Sequence, residues 1–479
     1  MINFCKIVVF FTISGMKTDP RAVTFSEILR SESFSGEQLK GNRILSYRFP
    51  VEITNFEYLA QRLIRENNPV FYFEKPQGNY RFLAIGSIRR FRSGGARRFE
   101  EVARAVSGEI SHVVQNYNGT PDRTIPLLVG SMSFFPEHRD RIWDEFYPSD
   151  WFIPEFIIHE SGGKPVVSYQ VDLSKPDPER NSVRILRDFI ARLNNVSAAE
   201  ETKTVRYRRI INREEKENWI KKAAGVVESI KKGDVNKVVL SRSVKFDAPE
   251  KQQIIKAVLD AGDAFSAGYL FLLKSNESLF IGVSPEKLAS FEQGNIHCHA
   301  IAGSVTRGTT EQEDNHLGDE LLSSKKNREE HQVVVNHIQS ILEKYCSRVT
   351  VDPVPALKKM SYIQHLYTGI SGELSPGVSM FRILEDLHPT PAVGGYPLSP
   401  ALTIIRDSEQ YDRGLYAGFL GWFDANTTGD FCVALRSALY TNNKLYAFAG
   451  SGIMRDSDPR QEFEETEVKL NAITSLMQS

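Results

Sequence analysis

The chain has 479 residues, room for roughly three average domains or one large α/β unit. Its 59 Lys+Arg against 60 Asp+Glu give a formal net charge of −1, which argues against a generic nucleic-acid or anionic-membrane binder. A composition of 41% hydrophobic and 25% charged residues, with mean hydropathy −0.31, excludes collagen-like, low-complexity and fully disordered chains, and no apolar run is long enough to span a bilayer.

Met1 to Gly15 place Lys6 before a short apolar run, Ile7 to Ile13, with no A-x-A-like cleavage site after it. This is an over-long or disordered start ahead of Met16, or a secretory leader; the former suits the rest of the chain better. Residues 16–204 have an irregular texture. Pro69 to Phe73 reads as a strand, and Thr124 to Phe135 as a buried one. Between them Arg89, Arg90, Arg92, Arg97 and Arg98 cluster, as a solvated loop rather than a phosphate or nucleic-acid site. Polar Asn194 to Thr204 reads as a linker.

Residues 205–479 are more regular. Asn212 to Lys232 is a helix: Trp219, Ile220, Ala223, Val226, Val227 and Ile230 recur at helical spacing, and Gly233-Asp234 ends it. Val235 to Val244 is a β-branched strand. Lys325 to Tyr345 is a second helix, with Val334, Ile338, Ile341 and Leu342 on its apolar stripe. A last helix starts at Asp458 as N-cap and Pro459 in the first turn. The cysteines Cys5, Cys298, Cys346 and Cys432 form no CxxC and no zinc spacing, which fits free thiols in a reducing, cytoplasmic setting.

Several side chains could carry chemistry. Lys237 opens a strand among apolar neighbours. Lost hydration favours a neutral amine there, able to act as a general base; the alternative is a solvated edge lysine. Glu286 follows Pro285 and is either a general acid kept protonated by apolar surroundings or a turn glutamate. Glu462, Glu465 and Lys469 share one face of the last helix, as a solvated face with an ion pair or as part of a hard-cation site. Glu330, from another helix, could add a carboxylate. Arg436 follows an apolar strand and needs an anionic partner if buried. Gly450 and Gly452, in Ala-Gly-Ser-Gly, allow close backbone approach to an anion, but no Rossmann or Walker A pattern surrounds them.

The order of these motifs carries a resemblance. KVVLSR, GVSPEKL, IAGS, REEH, QHLYTGISG, LHPTPAVGG, RGLYAGFLGW, VALRSA, AGSGI and SDPRQEFEETEVKL follow one another from Asn212 to Leu476. The series resembles the chorismate-utilising enzymes. The resemblance implies one large α/β (α+β type) domain of the anthranilate synthase component I kind, in which two antiparallel sheets pack as a sandwich flanked by helices. It implies Mg²⁺ and chorismate as the small-molecule partner. It assigns Lys237 as the base that activates water for attack at C2, and Glu286 as the acid for the leaving C4 hydroxyl. Glu330 and Glu465 would hold the metal, with Glu462 nearby through water. Arg436 and the Gly450 backbone would grip the enolpyruvyl carboxylate, and Lys469 a second carboxylate. Gly303, Ser304, His365, Ala392 and Tyr416 would line the pocket.

Within the family, the motifs favour isochorismate synthase. Lys237 occupies the water-activating position. Ala302 stands where a nucleophilic lysine would serve aminodeoxychorismate synthesis. Ala392 replaces a threonine tied to the lyase step of salicylate synthases. Asn327 and Gly394 depart from the usual aspartate and cysteine. The Leu128 to Phe134 segment looks more like the menaquinone branch than the siderophore branch. Salicylate synthase, an anthranilate or aminodeoxychorismate synthase component I, and a catalytically silent binding module are the alternatives. No nucleic acid and no membrane are expected as partners, and the chain is expected to be a monomer or weak homodimer.

Overall fold

The computed structural model of the chain describes residues 41–476 apart from 42, 54, 76–79, 116–125, 162–163, 177, 195–207, 211–213, 248–249, 262–267 and 361–362. The start around Met1–Met16, Cys5 and nearly all of the expected linker lie outside the described residues.

Strand runs such as Val70-Phe71-Tyr72-Phe73 are apolar at every position, the signature of a strand covered on both faces. The structure explains each parity. Phe71 and Phe73, with Phe271 and Phe280, face a core shared with Leu128, Trp151, Phe419 and Phe431 of a second sheet. Val70 and Tyr72, with Leu270 and Leu272, face the opposite way into a second core. There they meet residues of the helices Phe56–Glu66, Lys251–Asp260 and Pro459–Leu476.

The architecture is therefore a sandwich of a 13-stranded and a 10-stranded sheet with helices outside. Pairing is antiparallel throughout except where Ile44–Pro50 runs parallel to Val113–Gln115. Both sheets cross the midpoint of the chain. Tyr269–Ser275 pairs with Val70–Lys75 in the larger sheet, and Phe419–Phe423 pairs with Leu128–Met132 in the smaller.

The elements expected from periodicity appear with small shifts. The first long helix is Glu215–Lys232, closed by Gly233 at φ +92°. The strand after it is Lys237–Asp247. The second helix runs Lys325–Tyr345, capped by the Ser324 hydroxyl. The last helix is Pro459–Leu476, and the Asp458 carboxylate accepts from the N–H groups of Arg460 (2.7 Å) and Gln461 (3.1 Å). Of the buried strand expected over Thr124 to Phe135, Thr124 and Ile125 lie outside the described residues, and Leu128–Met132 is the strand among the rest.

The arginine cluster is neither a solvated loop nor an anion site. Arg89 pairs with Asp172, Arg90 and Arg92 pair with Asp150, and Arg97 reaches Glu101. Arg98 is buried and donates to the Ser133 carbonyl. Pairing or burial accounts for four of these charges, and Arg97 remains solvated, 79% exposed. Cys298, Cys346 and Cys432 are free thiols. No helix among the described residues is long and apolar enough to cross a membrane.

Candidate active site

Six elements converge on one cavity of about 250 Å³. The Lys237–Asp247 strand lies beside Lys444–Ile453, with Ser241 opposite Gly450 and Val239 opposite Gly452. Beyond Ala447 that partner strand has lost its neighbour on the far side, so its edge from Phe448 to Gly452 borders the cavity. In the smaller sheet, Asn295–Thr306 pairs with Ile363–Leu374, setting Ser304 opposite His365. A bulge between Ala302 and Ser304 places Gly303 at φ +74°. A Cβ on Gly303 would stand 3.0 Å from Cβ of Asn327, so the glycine also lets the Lys325–Tyr345 helix approach the bulge. The last helix closes the cavity with Glu462, Glu465 and Lys469.

All thirteen side chains and backbone positions singled out from the sequence line this cavity. They are Lys237, Glu286, Gly303, Ser304, Glu330, His365, Ala392, Tyr416, Arg436, Gly450, Glu462, Glu465 and Lys469.

Lys237 is 1% exposed, but its surroundings are not only apolar. Its ammonium is 2.8 Å from Glu330 Oε1, so a carboxylate compensates the charge that the sequence alone left among hydrophobic neighbours. A Cβ on Gly452 would stand 2.7 Å from that Glu330 oxygen and 3.1 Å from Lys237 Cε. A methyl there would oblige the pair to shift.

Glu286 is buried, and burial pushes its carboxyl up to about 7 against the opposing charges of Lys237, Lys358 and Arg436. A carboxyl with that value is substantially protonated at neutral pH. Its backbone is held on both sides: the N–H donates to Ser284 Oγ (3.2 Å) and the carbonyl accepts from Val433 N–H (3.0 Å).

Arg436, at φ +48°, turns its guanidinium toward His365, with Nη2 3.5 Å from Nε2. Burial and the Arg436 charge hold His365 neutral, so its Nε2 is the acceptor. Its Nδ1 is 2.9 Å from Ser304 Oγ. Among the described residues no carboxylate stands within ion-pair distance of Arg436. The structural ion pair open to it in the sequence is absent, and its positive charge faces the cavity unneutralised.

Each of the three glutamates instead has a lysine. Glu330 has Lys237, Glu462 has Lys326 (3.3 Å) and Glu465 has Lys469 (2.5 Å). Glu462 also accepts from Ser451 and from Ser457 (2.7 Å). Burial and the neighbouring Glu465 raise the Glu462 carboxyl. Burial opposes ionisation of Glu465, but Lys469 outweighs it and holds that carboxyl low. The Lys469 ammonium is 3.0 Å from the Gly450 carbonyl, so this carbonyl is engaged within the protein. Among the described residues no three metal-ligating side chains are clustered as they stand. The donor set is nevertheless all carboxylate oxygen in one cavity, which fits a hard divalent cation and not a soft one.

Sequence reasoning missed Lys326 and Gln461 in the lining, and Lys358 behind it. Lys326 carried one usable signal, its place in the first turn before Glu330. The buried Glu409–Arg413 pair (2.6 Å) beneath the cavity was also missed.

Fold and site together define a cavity of ring size that holds an unneutralised arginine, three lysine-paired glutamates and a buried carboxyl raised to about 7. A family model described as chorismate binding enzyme matches residues 29–478. The chain belongs to that family. It is 31% identical over 449 residues to the isochorismate synthase MenF of Bacillus subtilis (strain 168), covering 91% of this chain and 93% of that one. It is 34% identical over 415 residues to the salicylate biosynthesis isochorismate synthase of Pseudomonas aeruginosa, covering 85% of each. Among solved structures, the menaquinone-specific isochorismate synthase MenF of Escherichia coli matches with a TM-score of 0.74 at 25% identity, over 91% of this chain and 94% of that one. Anthranilate synthase component I of Streptococcus pneumoniae shares the fold, with a TM-score of 0.68 at 18% identity over 83% of this chain and 92% of that one.

Proposed function

We propose that this chain is an isochorismate synthase, an isomerase that converts chorismate to isochorismate. The observation that carries the reading is the joint placement of Lys237 and Glu286 on one cavity beside the unneutralised Arg436. The full-length relatives named as isochorismate synthases support the same reaction.

In this reading Lys237 gives its ammonium proton to Glu330, 2.8 Å away, and as the free amine takes a proton from a water that attacks C2. The ring double bonds shift, and Glu286 gives its proton to the departing C4 hydroxyl. One water enters and one leaves, so substrate and product are isomers. The reaction is run by a base and an acid held against the same ring. Arg436 grips one carboxylate of chorismate, and fixing the ring supplies the orientation that the displacement needs. Burial and the Arg436 charge hold His365 in its neutral form, so it contributes shape and hydrogen bonding without charge. Tyr416 packs on Phe448 at 5.2 Å and walls the ring in.

Mg²⁺ fits the carboxylate donor set. Glu330 and Glu465 would hold it, with Glu462 nearby, and it would supply charge stabilisation on a substrate carboxylate. Glu330 is also the counterion of Lys237. A cytoplasmic enzyme, monomeric or weakly dimeric, completes the reading, with the product feeding menaquinone or siderophore formation.

The test is product analysis by chromatography after incubation with chorismate, with Mg²⁺ or with EDTA, and without ammonia. Isochorismate that forms only with Mg²⁺ is expected. Salicylate with pyruvate would move the assignment to the lyase branch. No product would leave an amidating subunit that lacks its partner, or a binding module.

A further inference from the structure

Lys358 lies on the short edge strand Ala356–Lys359, where it is paired directly opposite His365. His365 is in turn opposite Ser304. Cross-strand partners point to the same face, so Ser304, His365 and Lys358 form one row across three strands. The first two reach the cavity. Lys358 does not; it passes behind the cavity wall, and its ammonium donates to the carbonyl of Pro285 at 2.7 Å, one residue before the acid. The next residue, Lys359, turns the other way and pairs with Asp314 at 2.8 Å. Lys358 has no such counterion: among the described residues no carboxylate stands within ion-pair distance of its ammonium.

We propose that Lys358 is a positioning residue for the reaction: it clamps the Pro285–Glu286 turn from behind the cavity and directs an uncompensated positive charge at the Glu286 carboxyl. The inference rests on the isochorismate synthase reading of the same site. A carboxyl as deeply buried as Glu286 gains a proton readily and gives it up poorly. An acid catalyst must also release that proton to the leaving hydroxyl. The Thr390 hydroxyl and the buried Cys432 thiol lie near Glu286, and the charged groups facing it are Lys237 from the Lys237–Asp247 strand, Lys358 from the edge strand and Arg436 from beyond Gly429–Val433. All three are cations that favour release. Lys237 and Arg436 line the cavity in which the substrate would bind. Lys358 faces away from it, so its contribution persists through the catalytic cycle. Burial lowers Lys358 itself to about 8, against the attraction of Glu286, with Lys287 and Lys75 as its other charged neighbours.

The experiment is the pH dependence of kcat and kcat/KM with chorismate and Mg²⁺ for the full chain, Lys358→Met, Lys358→Arg and Lys359→Met. The alkaline limb reports loss of the proton from the acid. In Lys358→Met that limb moves up by about one pH unit, the effect of removing one nearby opposite charge. Its kcat falls about tenfold as the turn loosens, and KM for chorismate stays near the parent value. Lys358→Arg restores the limb, and Lys359→Met leaves it in place. Infrared difference spectra of the protonated Glu286 carboxyl, referenced to Glu286→Gln, follow the same midpoint without turnover and show the same upward shift. An unmoved midpoint in Lys358→Met overturns the proposal, whether or not kcat falls. A change confined to KM overturns it as well. A parent chain that forms no isochorismate refutes the underlying reading instead, and that failure is visible before any variant is made.

Discussion

At the residue scale, the site concentrates charges that folding alone would not favour. Glu286 is the clearest case. Its folded value of about 7 lies above the value of about 4.3 for a free glutamate, so between these the native state holds a proton that the unfolded chain releases. The stability tied to this group is full below the unfolded value and is lost as pH rises to about 7. Above that, the ionised buried carboxylate costs about 3–4 kcal/mol. Glu286→Gln should therefore melt higher than the parent chain at pH 8 and equally at pH 4, while forming no isochorismate. Equal melting temperatures at pH 8 would show that the carboxyl is not strained by burial. Gly452 tests the other half of the chemistry. A methyl at that position overlaps Glu330 and crowds Lys237. Gly452→Ala should lower kcat about a hundredfold, as expected for misplacement by about 1 Å, with an unchanged circular dichroism spectrum. Near-normal turnover would mean that the Lys237–Glu330 pair can shift without cost.

Single elements hold these residues in place. The Lys237 strand and the Thr390–Gly395 loop are tied together from below by Arg413, which is 1% exposed. Its guanidinium donates to the carbonyls of Val239 (2.7 Å) and Val393 (2.9 Å) and makes two bonds to Glu409 (2.6 and 2.8 Å). Glu409 in turn accepts from both the N–H and the hydroxyl of Ser241, each at 2.7 Å. Val239 and Val393 both line the cavity, so this buried pair braces the site without entering it. Removing one member strands the other. Arg413→Met should destabilise the fold by about 3–5 kcal/mol, measured by urea unfolding at pH 7. A loss below about 1 kcal/mol would place the support elsewhere.

At the scale of the whole molecule, the two halves of the chain are strands of the same two sheets. A fragment of residues 205–479 would leave Tyr269–Ser275 and Phe419–Phe423 without their N-terminal partners. That fragment should show no cooperative thermal transition, and one resembling the parent's would contradict the shared-sheet account. This scale also separates what could be read in the sequence from what could not. The helices Glu215–Lys232 and Lys325–Tyr345 follow from apolar periodicity, and the start of the last helix follows from Asp458-Pro459. The chemistry-bearing side chains were legible because their motifs keep a fixed order, and one cavity gathers them all. Pairings across distant segments were not legible. Nothing local marks Lys237 as the partner of Glu330, Lys358 as the clamp on Pro285, or Val70–Lys75 as the neighbour of Tyr269–Ser275. Those contacts are set by sheet order and register, which depend on the whole chain packing at once. Arg436 illustrates the same limit: its charge predicted an anionic partner, and the fold provides none among the described residues.

The central claim is that Lys237 and Glu286 exchange a ring hydroxyl for water. The most direct measurement is turnover of chorismate with Mg²⁺ in water enriched in ¹⁸O, with the product examined by mass spectrometry and NMR. The account predicts isochorismate carrying one ¹⁸O, at the C2 hydroxyl. Unlabelled isochorismate would mean that the original hydroxyl migrates within the molecule, which would contradict the roles assigned to both residues.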